Sequence, residues 1–370
     1  STGTFCVCNV ARCKTRHSTH QTIGGYPHQL HPMIHFFMFG LIERIETNKM
    51  TRTTPIATNY HAPKMLVSIM TAVLNSENTI ERCVRSVMNQ KCDLFRLEHV
   101  IQDGMSVDGT LEIIHKLEQE QGGDIIRLVS EKDCCEGDGK NRCLSRLSGD
   151  VWIELNGDDE LETGSIERAV KLFQANPGWD AVIASDVKII DIGSNIVGIH
   201  KNSRNNRLGE VNFRDVITRK WVPNFNSIFF RMEPWHTIGL WVDRRRKAVI
   251  DFDLLVRWLG YHNRNIIVVP NECFVRYRRH EGSTTQRATT NKDMTMTIVV
   301  AKWDTCSRFL KHCNTLEQLD CFFSDADREK FPTLSSRLHP VEQMIIDGLA
   351  KWSSLDRTEV ANACRDDSHR

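Results

Sequence analysis

The sequence predicts an α/β fold, a mostly parallel central sheet flanked by helices with a helical C-terminal region. From Met65 to Ala184 short apolar strands alternate with amphipathic helices, the pattern that builds parallel sheets. Polar, acid-bearing turns follow the strands and so collect on one sheet edge. From about residue 289 onward, strand signals give way to helices joined by polar turns.

Leu66 to Val73 reads as the first strand, and Ile80, Cys83, Val84, Val87 and Met88 then recur at the spacing of one helical face. His99 to Gln102 is the second strand, followed by capping residues Ser106 to Asp108 and a helix carrying Leu111, Ile114 and Leu117. The unit repeats through strand Ile125 to Val129, a helix between Asp138 and Leu147, strand Val151 to Leu155, a helix Ile166 to Phe173 and strand Ala181 to Ala184. After about residue 188 the alternation lapses into a basic stretch with Lys201, Arg204 and Arg207, the segment Phe213 to Lys220 and an apolar run Ile228 to Phe230. A helix beginning at Asp251 places Leu254, Leu255, Trp258 and Leu259 on one face, and Ile298 to Leu310 and Val341 to Trp352 read as later helices.

Composition narrows the function class. The 370 residues carry 48 Lys and Arg against 47 Asp and Glu, a net charge of +1 that excludes the broad basic field of a nucleic-acid binder. Met33 to Ile42 is the longest dense apolar run, half of what a spanning helix needs, and it lacks the cleavage site of a secretory signal. Thirteen scattered cysteines in a chain able to build its own core imply reduced thiols and a cytoplasmic protein. Residues 1–64 carry seven Lys and Arg, two acids and six His, and read as an N-terminal extension, disordered or upstream of a natural start at Met50. Cys6, Cys8, Cys13, His17 and His20 lie there without the paired two-residue spacers of common zinc modules, so they are not read as a zinc site. The expected organisation is this extension, a domain over 65–288 and a helical region over 289–370.

Asp158 and Asp159 end the strand Val151 to Leu155. Adjacent carboxylates repel, and a divalent cation such as Mg²⁺ or Mn²⁺ neutralises them through oxygen ligands, although two such residues alone fit a helix-capping loop equally well. Context favours the site. Asp103 with Gly104, Ser106, Asp108, Gly109 and Thr110 forms a second acidic turn suited to a base or ribose, Thr71 with Asn75 forms a third loop, and Asp133 a fourth. Four polar loops on one edge make a nucleotide cleft. Asp251 and Asp253, read on their own, are N-terminal helix acids. His280, beside Arg276, Arg278 and Arg279, reads on its own as an exposed residue, and Arg244 to Lys247 as a solvated run.

Five segments, Val67 to Asn75 (VSIMTAVLN), Ile101 to Thr110 (IQDGMSVDGT), Ser130 to Asn141 (SEKDCCEGDGKN), Ser148 to Asp159 (SGDVWIELNGDD) and Asp251 to Arg257 (DFDLLVR), occur in the order and spacing of family 2 glycosyltransferases. Over residues 65–285 the chain resembles bacterial surface-polysaccharide members of that family, and the resemblance implies their GT-A fold. It also implies that Asp103 contacts the base, Thr71 lines the nucleoside pocket, and Asp159, helped by Asp158, holds a metal on the diphosphate. Asn75 and Asp133 join Asp158 in the nucleotide-sugar set. Lys140 stands where relatives carry an Arg and is expected at the diphosphate or nucleoside, Asp251 matches the general base, and His280 matches a late histidine on the metal. Cys135 and Cys143 replace the family's Gly, and Gly137 and Gly139 replace its Tyr and Ala, so the 134–143 stretch is expected to be reshaped.

The resemblance implies a metal-dependent, inverting transferase that moves a sugar from a nucleotide-diphosphate donor to a hydroxyl of a saccharide or lipid-linked acceptor, with no nucleic-acid partner. Two other readings stay open. A nucleotidyltransferase shares the sheet and acidic metal site, but its Gly-rich basic loop has no counterpart in Thr71 to Asn75. A binding module that holds nucleotide or glycan without turnover fits the altered 134–143 stretch. Peripheral membrane association through the basic stretches or C-terminal helices, and the oligomeric state, are left open by the residues.

Overall fold

The computed structural model describes residues 64–120, 124–202, 207–219, 223–238, 249–280 and 291–365. The rest of the N-terminal extension with its Cys and His cluster, the Met33 to Ile42 run and the Arg244 to Lys247 run lie outside the described residues.

The first strands and helices follow the expected alternation: β1 (Met65–Val73), α1 (Ile80–Met88), β2 (Phe95–Asp103), α2 (Thr110–Glu120), β3 (Ile126–Ser130), α3 (Glu136–Leu144) and β4 (Val151–Glu154). Then come the two-residue β5 (Glu160–Leu161), α4 (Ser165–Ala175), β6 (Ala181–Ile190), β7 (Ile196–Lys201), β8 (Gly209–Glu210), α5 (Phe213–Ile217), β9 (Ile228–Arg231), α6 (Met232–Ile238), α7 (Ile250–Val256) and β10 (Ile267–Arg278). Among the described residues four C-terminal α-helices follow, α8 (Lys292–His312), α9 (Asp325–Lys330), α10 (Leu334–Ser353) and α11 (Arg357–Arg365). Despite its two glycines, the 136–144 stretch is helical.

All ten strands join one sheet in the order β3-β2-β1-β4-β9-β6-β10-β5, with β7 paired to β6 and β8 to β10. β3, β2, β1 and β4 are parallel, as are β6 and β10, while β5, β7, β8 and β9 run antiparallel to their partners. The strand order turns back at β1, so the carboxyl ends of β1 and β4 open a crevice between them.

Alternate residues of the strands feed two apolar cores, one on each face, which is why the strands read as nearly continuous apolar runs. Ile69, Ile101, Ile153 and Phe229 pack with α1, α2 and α4. Met70, Val100, Trp152 and Phe230 face the other way, into a core that also contains Val299, Trp303 and Phe309 of α8 and Val341, Ile345 and Leu349 of α10. The C-terminal helices thus share a core with the sheet. β10, the longest strand, escapes sequence reading because Pro270 and the positive φ of Asn271 interrupt its pattern, and its register against β6 shifts between Val269 and Cys273.

One glycine sets how closely α10 docks. A Cβ on Gly348 would lie 1.7 Å from the carbonyl oxygen of Thr218, so backbone meets backbone there. Gly348→Ala is expected to lower stability by about 1–3 kcal/mol through overpacking, read as an earlier midpoint in urea unfolding with an unchanged slope.

Candidate functional site

The crevice between β1 and β4 is lined by short turns that fasten one another. Asn75, at φ 53, donates its backbone N–H to Ser106 Oγ at 2.8 Å and accepts from the Val107 N–H at 2.9 Å, tying the first loop to the second. Gly157 makes the turn after β4 feasible, since a Cβ there would meet Val73 Cγ1 at 2.5 Å.

The carboxylates of the acidic turn have opposite surroundings. Asp159 is fully buried; its Oδ1 accepts from the Arg278 N–H at 2.8 Å, and its Oδ2 from Asn156 Nδ2 at 3.2 Å and Asn226 Nδ2 at 3.4 Å. Burial, reinforced by the neighbouring Asp158 charge, pushes its carboxyl well above the usual range. Asp158 instead faces the cleft, and its Oδ2 lies 2.9 Å from His280 Nε2. The buried Arg278 guanidinium holds this turn: Nε donates to the Asp158 carbonyl at 2.7 Å, and the terminal nitrogens donate to the Asp191 carbonyl, Glu160 Oε1 and Ser194 Oγ.

A second cluster surrounds Lys140 on α3. Its ammonium lies 2.7 Å from Glu154 Oε1, 2.9 Å from Glu136 Oε1 and 3.5 Å from Asp251 Oδ1. Burial alone would lower this lysine, but Glu154, Asp251 and Glu136 together hold it well above its ordinary range, so it stays cationic. Burial, with the charge of Asp251 adding to it and Lys140 opposing it, pushes the Glu154 carboxyl up to about 7. Asp251 follows Val249, whose φ of 60 starts α7, and its half-exposed carboxylate lines the cleft. Asp253 points elsewhere and accepts from Arg257 Nε at 2.9 Å and Arg308 at 3.0 Å, cross-linking α7 to α8.

A cleft of 1530 Å³ gathers Asn75, Lys140, Asp158, Asp251 and His280 on its walls. At four expected positions the side chains are engaged within the fold. Thr71 is fully buried, and its hydroxyl is used by the Leu155 carbonyl and His99 Nε2, both at 2.8 Å, so it does not line a nucleoside pocket. Asp103 is also fully buried and accepts from the Met105 and Ser106 N–H groups and from Ser130 Oγ, which leaves it bracing its own loop. Lys140 serves three carboxylates before any diphosphate. Asp159, expected to lead on the metal, spends both oxygens inside the fold, whereas Asp158 and His280 face the cleft.

Asp133 sits in close quarters. A Cβ on Gly104 or on Gly139 would lie 2.9 Å from its Oδ2, and burial, then the charges of Asp138 and Asp103, raises its carboxyl above the ordinary range. Sequence reading passed over Glu154, Asn226 and the cleft-lining Arg82. The acid in the strand before the Asp-Asp turn was a signal for Glu154, because an isolated carboxylate in a buried strand needs a cation.

Residues 68–232 match the family model described as Glycosyl transferase family 2. That segment belongs to glycosyltransferase family 2. Curated relatives align over parts of the chain: the chondroitin synthase of Pasteurella multocida at 28% identity over 52% of this chain and 18% of its own length, and a GalNAc(5)-diNAcBac-PP-undecaprenol beta-1,3-glucosyltransferase of Campylobacter jejuni at 25% identity over 45% of this chain and 52% of its own. The chain therefore spans 18% of the first relative's length and 52% of the second's. Among solved structures, S. aureus TarS 1-349 in complex with UDP-GlcNAc superposes with a TM-score of 0.52 at 16% identity, covering 81% of this chain and 87% of that one, and so shares the GT-A fold. Among the described residues no helix is long and apolar enough to cross a membrane.

Two outcomes test how the site is held together. Arg278→Met removes the guanidinium from Glu160 and from the Asp158 and Asp191 carbonyls, while the backbone N–H to Asp159 remains, and is expected to cost about 3–5 kcal/mol, measured by chemical unfolding, with part of the loss recovered by adding Glu160→Gln. Glu154 supplies a pH signature. Its carboxyl is raised from 4.5 in the unfolded chain to about 7, so its contribution to stability is fully present below the lower value and is lost as pH rises through the upper one. Between about pH 5 and pH 8, Glu154→Gln is expected to flatten that decline in unfolding free energy.

Proposed function

We propose that the protein is an inverting glycosyltransferase that moves a sugar from a nucleotide-diphosphate donor to a hydroxyl of a saccharide or lipid-linked acceptor in cell-surface polysaccharide synthesis. The observation that carries this reading is that one cleft, at the strand-order switch of a family 2 domain, has Asp158 with His280 on one wall and Asp251 on another.

The donor is read onto the β1 and β4 turns. Asn75, which lines the cleft, and Asp133, whose carboxylate packs against Gly104 and Gly139, are the groups we assign to base and ribose. Arg82 and Arg279 line the cleft and offer guanidinium groups to the diphosphate. A divalent cation, Mg²⁺ or Mn²⁺, fits the donor set at Asp158 and His280, since such ions take one or two protein ligands and fill their remaining positions with phosphate oxygens and water. Among the described residues no group of three His, Cys, Asp or Glu side chains is placed to hold a metal on its own. When bound, the ion would neutralise charge developing on the departing diphosphate.

Asp251 is the general base in this scheme. It takes the proton from the acceptor hydroxyl as that oxygen attacks the anomeric carbon, while the bond to the diphosphate breaks on the opposite side, so configuration inverts. Lys140 positions the base: the ammonium reaches Asp251 Oδ1 and is itself anchored by Glu154 of β4.

Calorimetric titration with uridine, guanosine and thymidine diphosphates, with and without Mn²⁺, tests the donor half. One diphosphate is expected to bind in a metal-dependent way, and Asp158→Ala to abolish the metal dependence. Asp251→Asn is expected to retain that binding and to lower sugar transfer on the order of 10²–10⁴-fold, the usual yield of a general base. Full transfer by Asp251→Asn sinks the base assignment, and no diphosphate binding by folded protein sinks the transferase reading.

A further inference from the structure

Two cations on the cleft wall have no counter-ion among the described residues. Lys302 of α8 is only 6% exposed, and its ammonium stands 3.3 Å from the Trp352 ring centroid and 5.9 Å from that of Phe252. Arg219, at φ 56, lays its guanidinium over the same rings, 4.8 Å from Trp352 and 5.2 Å from Phe252. Trp352, Phe252, Arg219 and Lys302 all line the cleft. Among the described residues no carboxylate lies within ion-pair distance of either cation, and the buried Arg219 Nε has no acceptor.

Such an arrangement is costly in the free protein. Charging both groups in this low-dielectric pocket is opposed by burial and by their mutual repulsion, and ring faces offset only part of that cost. Burial first, and the charge of Arg219 second, lower Lys302 to about 6, and burial lowers Arg219 to about 10. An oxyanion between them would accept from the guanidinium fork and the ammonium together and remove the repulsion.

The position identifies which molecule carries that anion. Phe252, the ring both cations share, directly follows Asp251, and on the reading above Asp251 faces the acceptor hydroxyl. We infer that Arg219, Lys302 and Trp352 form an oxyanion subsite for the acceptor, which takes a sugar carboxylate or a phosphate group borne by the acceptor chain next to the reacting hydroxyl. The inference rests on the transferase reading for the word acceptor, but the anion site itself does not.

The test uses the full chain, saturated with its preferred nucleoside diphosphate and Mn²⁺, and follows tryptophan fluorescence. Methyl glucuronide is compared with methyl glucoside, glycerol phosphate with glycerol, and inorganic phosphate is titrated alone. One charged probe is expected to bind at least tenfold more tightly than its neutral twin. Lys302→Met and Arg219→Met are each expected to erase that preference, and Lys302→Arg to keep it. Nucleoside diphosphate affinity in each variant checks that the fold and donor site persist, and Trp352→Phe, which keeps a ring under both cations, is expected to lose the signal and retain the preference by calorimetry. Equal binding of charged and neutral twins, or a preference that survives both methionine variants, overturns the subsite. Inorganic phosphate binding as tightly as the better organic probe overturns its assignment to the acceptor. If no nucleoside diphosphate binds while the charge preference holds, the donor reading fails and the anion site stands.

Discussion

A guanidinium with no access to water must find every partner inside the protein, and Arg278 does so by gripping the turn that carries the acidic pair. Its side chain meets the Asp158 carbonyl and Glu160, while its backbone N–H meets Asp159, so three consecutive residues of the turn are held to the end of β10. The two-residue β5 pairs with β10 immediately beside this contact. With the turn anchored on its inner side, Asp158 is left facing outward, and His280 follows Arg278 at the spacing that brings the imidazole to it. The donor side of the cleft is thus organised from beneath by a residue that never reaches the ligand.

The same division of labour runs through the other carboxylates. Asp103, Asp159 and Asp253 spend their oxygens on backbone amides, amides of side chains or arginines, and they stiffen loops and helix contacts. Asp158 and Asp251 keep access to the cleft. Glu154 and Lys140 stand between the groups, a buried pair that reaches from the central sheet toward the exposed Asp251. An acid-rich site of this kind holds together because each interior carboxylate has a designated donor, as buried polar groups require.

Much of the fold was legible in the chain because periodicity reports burial directly. Ile80, Cys83, Val84, Val87 and Met88 are all buried on α1, as their spacing predicts, and the βα repeat through Ala184 describes the parallel half of the sheet. Legibility stopped where partners are distant in sequence. β10 pairs with β6 across some eighty residues and through an irregular register, and nothing local in Pro270 or Asn271 announces a strand. The site shows the same limit. Residue type identifies Asp103, Thr71 and Lys140 as polar groups on the right edge, but whether a side chain points to ligand or is consumed by its neighbours depends on Ser130, His99 and Glu154, which other strands supply. Lys302 and Trp352 lie fifty residues apart on two helices, and only the packing of α8 against α10 makes them one feature.

Val249 enters α7 in a left-handed conformation that a β-branched side chain rarely adopts. Local preference opposes that geometry, so the surrounding packing must impose it, with Ile250 and Phe252 sunk in the core on either side of Asp251. The helix that presents Asp251 is in effect spring-loaded against its scaffold. The strained valine gives up some stability for a carboxylate whose approach to the cleft is not free to wander.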